Sequence, residues 1–168
     1  VHSRLGTDDD LDRWCDAFLA LEASGWKGAQ GTAIANDADT SAFFRTALRN
    51  AQGANMLDML RIDVDGRAIA MLVNFRHLNG SFSYKIAFDE AFARYSPGVL
   101  IEIDNLHDVQ GNAATAWMDS CAMPGHPMID SLWAERRSIA QYRIALKGSG
   151  IDCARRSAIF TLTGMIEK

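Results

Sequence analysis

The stretch GSFSYKIAFDEAFARYSPGVLIEIDNLHDV, residues 80–109, decides the fold because it joins a strand pattern to a well-marked helix start. Apolar and polar residues alternate from Phe82 to Ala87, which is typical of a half-buried strand. After a polar loop, Ser96 has the residue type of a helix N-cap and Pro97 that of a first helical residue. The stretch therefore predicts a strand, a loop and then a strongly apolar helix.

The first turn of that helix is a candidate anion site. Neither Glu nor Gln stands at its third position to close a capping box. We therefore expect the amides of Gly98, Val99 and Leu100 to face outward at the positive end of the helix dipole, where a phosphate would bind. The alternative is that water serves these amides, as it does at many helix starts.

Composition places few constraints on function beyond an ordinary globular class. The 168 residues carry a formal net charge of −4 and fit a single domain over 1–168. This charge argues against a nucleic-acid partner, and no apolar run approaches the roughly 20 residues of a membrane span. We expect a cytoplasmic protein without a metal site, whose three cysteines are reduced and buried.

Upstream of the organising stretch, the sequence predicts two helices. The acidic run at 7–10 caps the first, which continues to Glu22 with apolar residues at helical spacing. The second covers about 39–52, with both Phe43 and Phe44 on its buried side. An irregular loop is expected from 24 to 36.

The middle of the chain predicts an antiparallel meander of three strands, from Met56 to Ala87. Asp65-Gly66 and Asn79-Gly80 are the hairpin turns between them. A short strand at 115–120 follows the helix from Pro97, which makes a β-α-β crossover and hence a parallel pair. A short helix at 128–134, a strand at 137–146 and a tail of either type complete an α+β fold with a mixed sheet.

This order of elements resembles the GNAT acyltransferase superfamily. Four blocks sharpen the resemblance toward the domain of CelD-like cellulose-biosynthesis proteins, a family similar to the peptidoglycan-bridge aminoacyltransferases. The blocks are FLALEASGWKG (18–28), YKIAFD (84–89), YSPGVL (95–100) and HPMIDSLW (126–133). The resemblance spans about residues 11–146. In that family the domain is commonly the C-terminal half of a longer protein, which would explain a first residue other than Met.

The resemblance implies acetyl-CoA or another acyl-CoA as co-substrate. In GNAT enzymes the donor inserts where the strand before the binding helix splays from its neighbour. Carried onto this chain, the backbone of Ile86 and Ala87 would flank the pantetheine arm. The pyrophosphate would lie at the helix start, among the residues Tyr95, Ser96, Gly98, Val99 and Leu100.

Acyl transfer to an amine needs groups that move protons, and the candidates are few. Asp89 lies just past the strand end, where the acceptor amine would approach; its alternative is a solvated loop. Asp119 ends the strand after the binding helix and is either a base or a capping group. His126 lies in a loop at the same sheet edge and belongs to the residue type that titrates near neutrality, although many loop histidines have no role.

Five further side chains are of interest. Tyr84 and Tyr95 could act as acid or anchor, and Lys85, unusual among apolar strand residues, should meet a carboxylate or a phosphate. Trp26 and Trp133 are expected to pack along the acceptor side.

These features predict an N-acyltransferase that acts on a primary amine of a small molecule or amino sugar, with a homodimer as the expected assembly. Two alternatives remain open. One is aminoacyl or acyl transfer from a carrier larger than coenzyme A. The other is a non-catalytic GNAT-like module in polysaccharide biosynthesis or export.

Overall fold

The computed structural model describes residues 1–136 and residue 138. The chain divides into two compact units, Val1–Ala134 and Glu135–Lys168. The elements of the first unit form one sheet with helices on its two faces. Its strands are β1 (His2–Arg4), β2 (Leu57–Val64), β3 (Arg67–His77), β4 (Gly80–Phe88) and β5 (Trp117–Asp119). Its helices are α1 (Leu11–Ser24), α2 (Trp26–Ala29), α3 (Ala38–Gly53), α4 (Pro97–Gly111) and α5 (Pro127–Leu132), with 3-10 turns at Ile34–Asn36 and Glu90–Tyr95.

The sheet has the order β1-β2-β3-β4-β5, and its pairing confirms the predicted topology. The pairs from β1 to β4 are antiparallel, whereas β4 and β5 are parallel. The meander and the β-α-β crossover are thus both present. The predicted strand at 137–146 and the tail beyond it fall outside the described residues, apart from residue 138.

The two faces of the sheet bury separate sets of side chains. Along β3, Met71 and Val73 pack with α1 and α3, while Ala70 and Leu72 pack with α4. This strand is buried on both faces, so its apolar residues run continuously instead of alternating. The sheet is therefore the middle layer of three.

Strand β1 is absent from the predictions because three residues carry too little pattern. An ion pair between two residues far apart in the sequence holds it in place. Arg4 donates two hydrogen bonds of 2.6 Å to the buried carboxylate of Asp58 on β2. Arg76 on β3 donates to the same carboxylate at 2.7 Å. The side chain of Asp58 thus connects the first three strands of the sheet.

The predicted irregular loop at 24–36 contains both α2 and a 3-10 turn. Trp26, expected to pack, begins α2 and is 52% exposed. The expectation that the cysteines are buried is confirmed for Cys15 and wrong for Cys121, which is exposed. Cys153 lies outside the described residues. Within the described part of the chain, no helix is long and apolar enough to cross a membrane.

The structure corrects the prediction that two adjacent phenylalanines of α3 are both buried. Phe44 is 1% exposed and stacks on Phe18 with ring centroids 5.3 Å apart, whereas Phe43 is 68% exposed. Neighbouring positions on a helix point about 100° apart, so only one of the two can face the core.

This difference gives a matched pair of variants. Phe44→Ala should lower the free energy of unfolding by about 3–5 kcal/mol, because it leaves a cavity in the core. Phe43→Ala should change it by no more than about 0.5 kcal/mol. Urea unfolding of both variants measures the difference, and equal losses would contradict the orientation of α3.

Candidate functional site

The candidate site lies along the half of β4 that does not pair with β5. The two strands pair from Gly80↔Trp117 to Phe82↔Asp119, and β4 then continues to Phe88. Within the described residues, positions 83–88 of β4 have a sheet partner on the β3 side alone. The pairing thus ends, together with β5 itself, before the part of β4 where the resemblance expects the donor to insert.

A β-bulge shapes this half of β4. On β3, Val73 pairs with Lys85 and Asn74 pairs with Ser83, so Tyr84 is an extra residue in β4. A bulge interrupts the alternation of side chains between the two faces. As a result both Tyr84 and Lys85 face α1 and α3: the Tyr84 ring lies 6.5 Å from that of Phe44, and Lys85 reaches Glu22.

Glu22 on α1 is the centre of a buried ionic cluster. Its Oε1 accepts hydrogen bonds from Lys27 Nζ at 3.1 Å and Lys85 Nζ at 3.4 Å, and its Oε2 accepts from the Ile34 amide at 2.9 Å. Burial opposes the charge, but the Ile34 amide and the two ammonium groups outweigh it and lower the pKa of Glu22. Glu22 is therefore an ionised anchor that holds both lysines.

The expectation that Lys85 meets a carboxylate is thus confirmed. Sequence reasoning placed Glu22 on the core face of α1 without assigning it a role. A carboxylate at a buried position of an amphipathic helix was the available signal, since such groups are almost always paired.

Two cavities adjoin this cluster. The larger, of about 260 Å³, lies between α3 and β4. Its walls include Ile34, Asp37, Phe43, Phe44, Tyr84 and Lys85. The smaller, of about 30 Å³, is lined by Glu22 and Lys27 together with Ile86 and Ala87, the two residues predicted to flank the pantetheine arm.

The start of α4 differs from the expected cap. Ser96 stands at the N-cap position but has a left-handed backbone with φ of 52°, and its side chain makes no capping hydrogen bond. Its carbonyl oxygen accepts from the amides of both Val99, at 2.9 Å, and Leu100, at 3.1 Å. Of the three amides predicted to face outward, two are therefore paired within the turn, and Gly98 alone remains a possible donor to an anion.

Gly98 is buried where α4, β4 and α5 meet. A Cβ at this position would lie 3.3 Å from Phe88 Cδ1 and 3.8 Å from Met128 Sδ. The absence of a side chain lets the helix start approach the end of β4 closely. Tyr95, just before the helix, is 55% exposed, and the Arg94 guanidinium lies 4.5 Å from its ring centroid.

The three predicted proton carriers lie at different places along the cleft. Asp119 pairs with Phe82, whereas Asp89 follows the far end of β4, roughly 20 Å away at about 3.3 Å per residue. Asp89 is buried, ion-paired with Arg67, and accepts from the Ala91 amide at 3.0 Å. These contacts give it a structural role, and a catalytic one stays a prediction.

Asp119 and His126 also accept backbone hydrogen bonds. Asp119 accepts from the Cys121 amide at 2.8 Å, in the capping role named as its alternative. His126 is exposed and caps α5, its Nδ1 accepting from the Ile129 amide at 3.4 Å. Because Nδ1 is the acceptor in this contact, Nε2 carries the proton of the neutral ring and points away from the cap.

The sequence did not predict a series of hydrogen-bonded polar side chains that is buried between α4 and β3. Glu102 on α4 is 1% exposed, and its Oε1 accepts from Asn105 Nδ2 at 3.3 Å and Trp133 Nε1 at 3.2 Å. Asn105 Oδ1 accepts in turn from Asn74 Nδ2 on β3 at 2.8 Å. Burial raises the pKa of the Glu102 carboxyl more than the two hydrogen bonds lower it.

The raised pKa predicts how Glu102 affects stability. From about pH 4.5 upward, the unfolded carboxyl ionises while the folded one keeps its proton, so the folded state loses stability until its own pKa is passed. Glu102→Gln retains the acceptor oxygen without this penalty. Above the folded pKa, the free energy of unfolding of the variant should exceed that of the wild type. The difference should be about 1.4 kcal/mol for each pH unit that separates the folded pKa from the usual value.

Urea unfolding of both proteins at pH 4, 6 and 8 measures this gain. A stability difference that does not change with pH would show that Glu102 is not a buried neutral acid.

Comparison with known proteins places this chain in a family. The model of the acetyltransferase (GNAT) domain matches residues 1–115. The chain therefore belongs to the acetyltransferase (GNAT) family and is an acyltransferase enzyme of that type. Enzymes of this family generally use acetyl-CoA as co-substrate. No curated protein sequence matches the chain.

Solved structures share the fold at low sequence identity. A possible acetyltransferase from Clostridium difficile has a TM-score of 0.62 and 14% identity, over 88% of this chain and 98% of that one. An aminoglycoside 6'-N-acetyltransferase from Acinetobacter haemolyticus has a TM-score of 0.58 and 15% identity, over 88% and 99%. A ribosomal-protein-alanine N-acetyltransferase from Brucella melitensis has a TM-score of 0.55 and 15% identity, over the same shares. These likenesses confirm the predicted fold.

Proposed function

We propose that this chain transfers an acetyl or other acyl group from coenzyme A to a primary amine of a small molecule. The observation that carries the proposal is the end of the β4–β5 pairing at Phe82, with the start of α4 beside the far end of β4. In a GNAT enzyme this geometry leaves an edge of β4 for the pantetheine arm and a helix terminus for the pyrophosphate. The acceptor would enter from the opposite face, through the cavity beside Tyr84 and Lys85.

Two proton transfers accompany the transfer of the acyl group. The lone pair of the neutral amine attacks the thioester carbonyl carbon, so that a C–N bond forms and the C–S bond breaks. The amine nitrogen loses one proton, and the departing thiolate gains one. Acyl transfer of this kind benefits from a positioned general acid or base.

We assign the proton transfer first to His126, whose Nδ1 lone pair would take up the amine proton on release from its 3.4 Å contact with the Ile129 amide. The start of α5 lies near that of α4, since Met128 approaches Gly98. Asp119 and Asp89 are the next candidates, although their carboxylates already accept backbone hydrogen bonds.

His126→Asn tests this assignment without removing the cap, because Asn is among the best N-cap residues. Turnover at neutral pH should fall about 100-fold or more, while the Kd for acetyl-CoA should stay within about twofold. Steady-state kinetics and calorimetry measure the two quantities. Unchanged turnover would move the role to Asp119, Asp89 or water.

Donor binding at the start of α4 is tested at Leu100, which is 44% exposed in the first turn. Leu100→Glu is tolerated by the fold, since a carboxylate near a helix N-terminus is favourable by about 0.3–1 kcal/mol. Repulsion from the pyrophosphate should nevertheless weaken acetyl-CoA binding about tenfold or more, or about 1.4 kcal/mol. Leu100→Gln is the neutral control and should bind as the wild type does.

The two alternative functions predict other outcomes of the same calorimetry. Transfer from a larger carrier predicts that the wild type does not bind acetyl-CoA but does use a carrier-linked acyl group. A non-catalytic module in polysaccharide biosynthesis predicts neither binding nor turnover. The resemblance to CelD-like proteins makes an amino sugar one acceptor to assay.

A further inference from the structure

Two lysines adjoin the cavities beside β4: Lys85 lies on the wall of the larger cavity and Lys27 on that of the smaller, and together they exceed by one the carboxylate that they share. Lys27 and Lys85 share one carboxylate, that of Glu22, whose other oxygen is occupied by the Ile34 amide. Each lysine side chain keeps 28% of its surface exposed, while that of Glu22 keeps 2%. The two ammonium groups therefore retain donors that the carboxylate does not use, since each carries three.

Asp37 is the other charged side chain on the wall of the larger cavity, and its carboxylate is engaged by a helix N-terminus. Asp37 stands at the N-cap of α3, where its carboxylate accepts from the Thr40 amide at 2.7 Å. It is thus already paired with the positive end of that helix. Glu90, near the smaller cavity, likewise accepts from the Trp26 amide at 2.8 Å.

The rest of the wall is apolar and the space is small. Phe43, Phe44 and Tyr84 form an aromatic side, and the Phe43 ring is largely exposed. The volume of about 260 Å³ lies below the usual range of roughly 300–1,000 Å³ for drug-sized ligands. A polycationic oligosaccharide would need more room and a surplus of carboxylates.

We propose that this cavity binds the anionic group and apolar body of an acceptor that carries its own negative charge, such as the carboxylate of an apolar amino acid, with Lys85 as the specificity-determining residue. The inference rests on the proposed function, because it names the class of amine that reaches the cleft. The bulge at Tyr84 brings Lys85 to this face, and Glu22 holds its ammonium group at the cavity wall.

Binding of two probes without the donor tests the proposal. L-Phenylalanine and L-phenylalaninamide have the same amine and ring but differ in the carboxylate. Calorimetric titration should give a Kd for the amino acid at least tenfold lower than for the amide. Equal values, or no binding of either at millimolar concentration, would overturn the proposal.

Variants assign the preference to its residue. Lys85→Gln should abolish the preference while leaving the Kd of the amide unchanged, and Lys85→Arg should retain it. Arg49→Gln is the control: it removes one positive charge from α3, where Arg49 pairs with Asp12 away from the cavity. A preference that survives Lys85→Gln, or that falls equally in Arg49→Gln, would contradict the assignment.

A second variant guards against misfolding of the first. Lys27→Gln leaves Glu22 paired with Lys85 alone, so the surplus charge disappears and the preference should fall although Lys85 is intact. Thermal unfolding confirms that each variant is folded. If Lys85→Gln does not fold, the result for Lys27→Gln decides the proposal.

Kinetics with acetyl-CoA separate this inference from the proposed function. The amino acid should show a lower KM than the amide, and Lys85→Gln should raise that KM with little change in kcat. If acetyl-CoA binds and both amines are acetylated with equal KM, the inference fails and the proposed function stands. If the amino acid binds preferentially but acetyl-CoA does not bind, the proposed function fails and the anionic site remains.

Discussion

The single extra residue in β4 is the constraint on which the cleft depends. A regular strand would place Tyr84 and Lys85 on opposite faces, one toward α1 and α3 and the other toward α4. The bulge instead puts an aromatic ring and an ammonium group side by side on one face. Ile86 and Phe88, further along the strand, return to the α4 face, where they pack against its core. One strand thereby serves both the hydrophobic core and a polar cavity.

The carboxylate of Glu22 complements this bulge from the helical layer. It joins α1, α2, the 3-10 turn and β4 through three hydrogen bonds. Breaking such a buried pair by removing one partner is costly because the other charge stays buried. The segment between α1 and α3 is therefore held in place both by this charge cluster and by Ile34, which is buried in the core.

The sequence alone predicted the elements whose signals are local. Period-two alternation and the turns at Asp65-Gly66 and Asn79-Gly80 are sufficient for the meander, and Ser96-Pro97 locates the start of α4. The orientation of Phe43, the bulge at Tyr84 and strand β1 depend on partners far along the chain, which no local pattern contains. The same holds for the candidate site: Lys85 stood out by residue type, and a carboxylate on the buried face of α1 could have marked Glu22, but only the tertiary structure shows that the two residues pair.

The buried side chains of Asn74, Asn105 and Glu102 set the direction in which the first turn of α4 faces. Much of this helix is apolar around its circumference, as Leu100, Ile101, Ile103 and Leu106 show, so apolar packing alone would tolerate several rotations about its axis. An amide–amide hydrogen bond to β3 is satisfied in one rotation only. These hydrogen bonds therefore fix the rotation of α4 about its own axis. It fixes which backbone groups of the distant N-terminus face the cleft, about one and a half turns away from the nearest of these side chains.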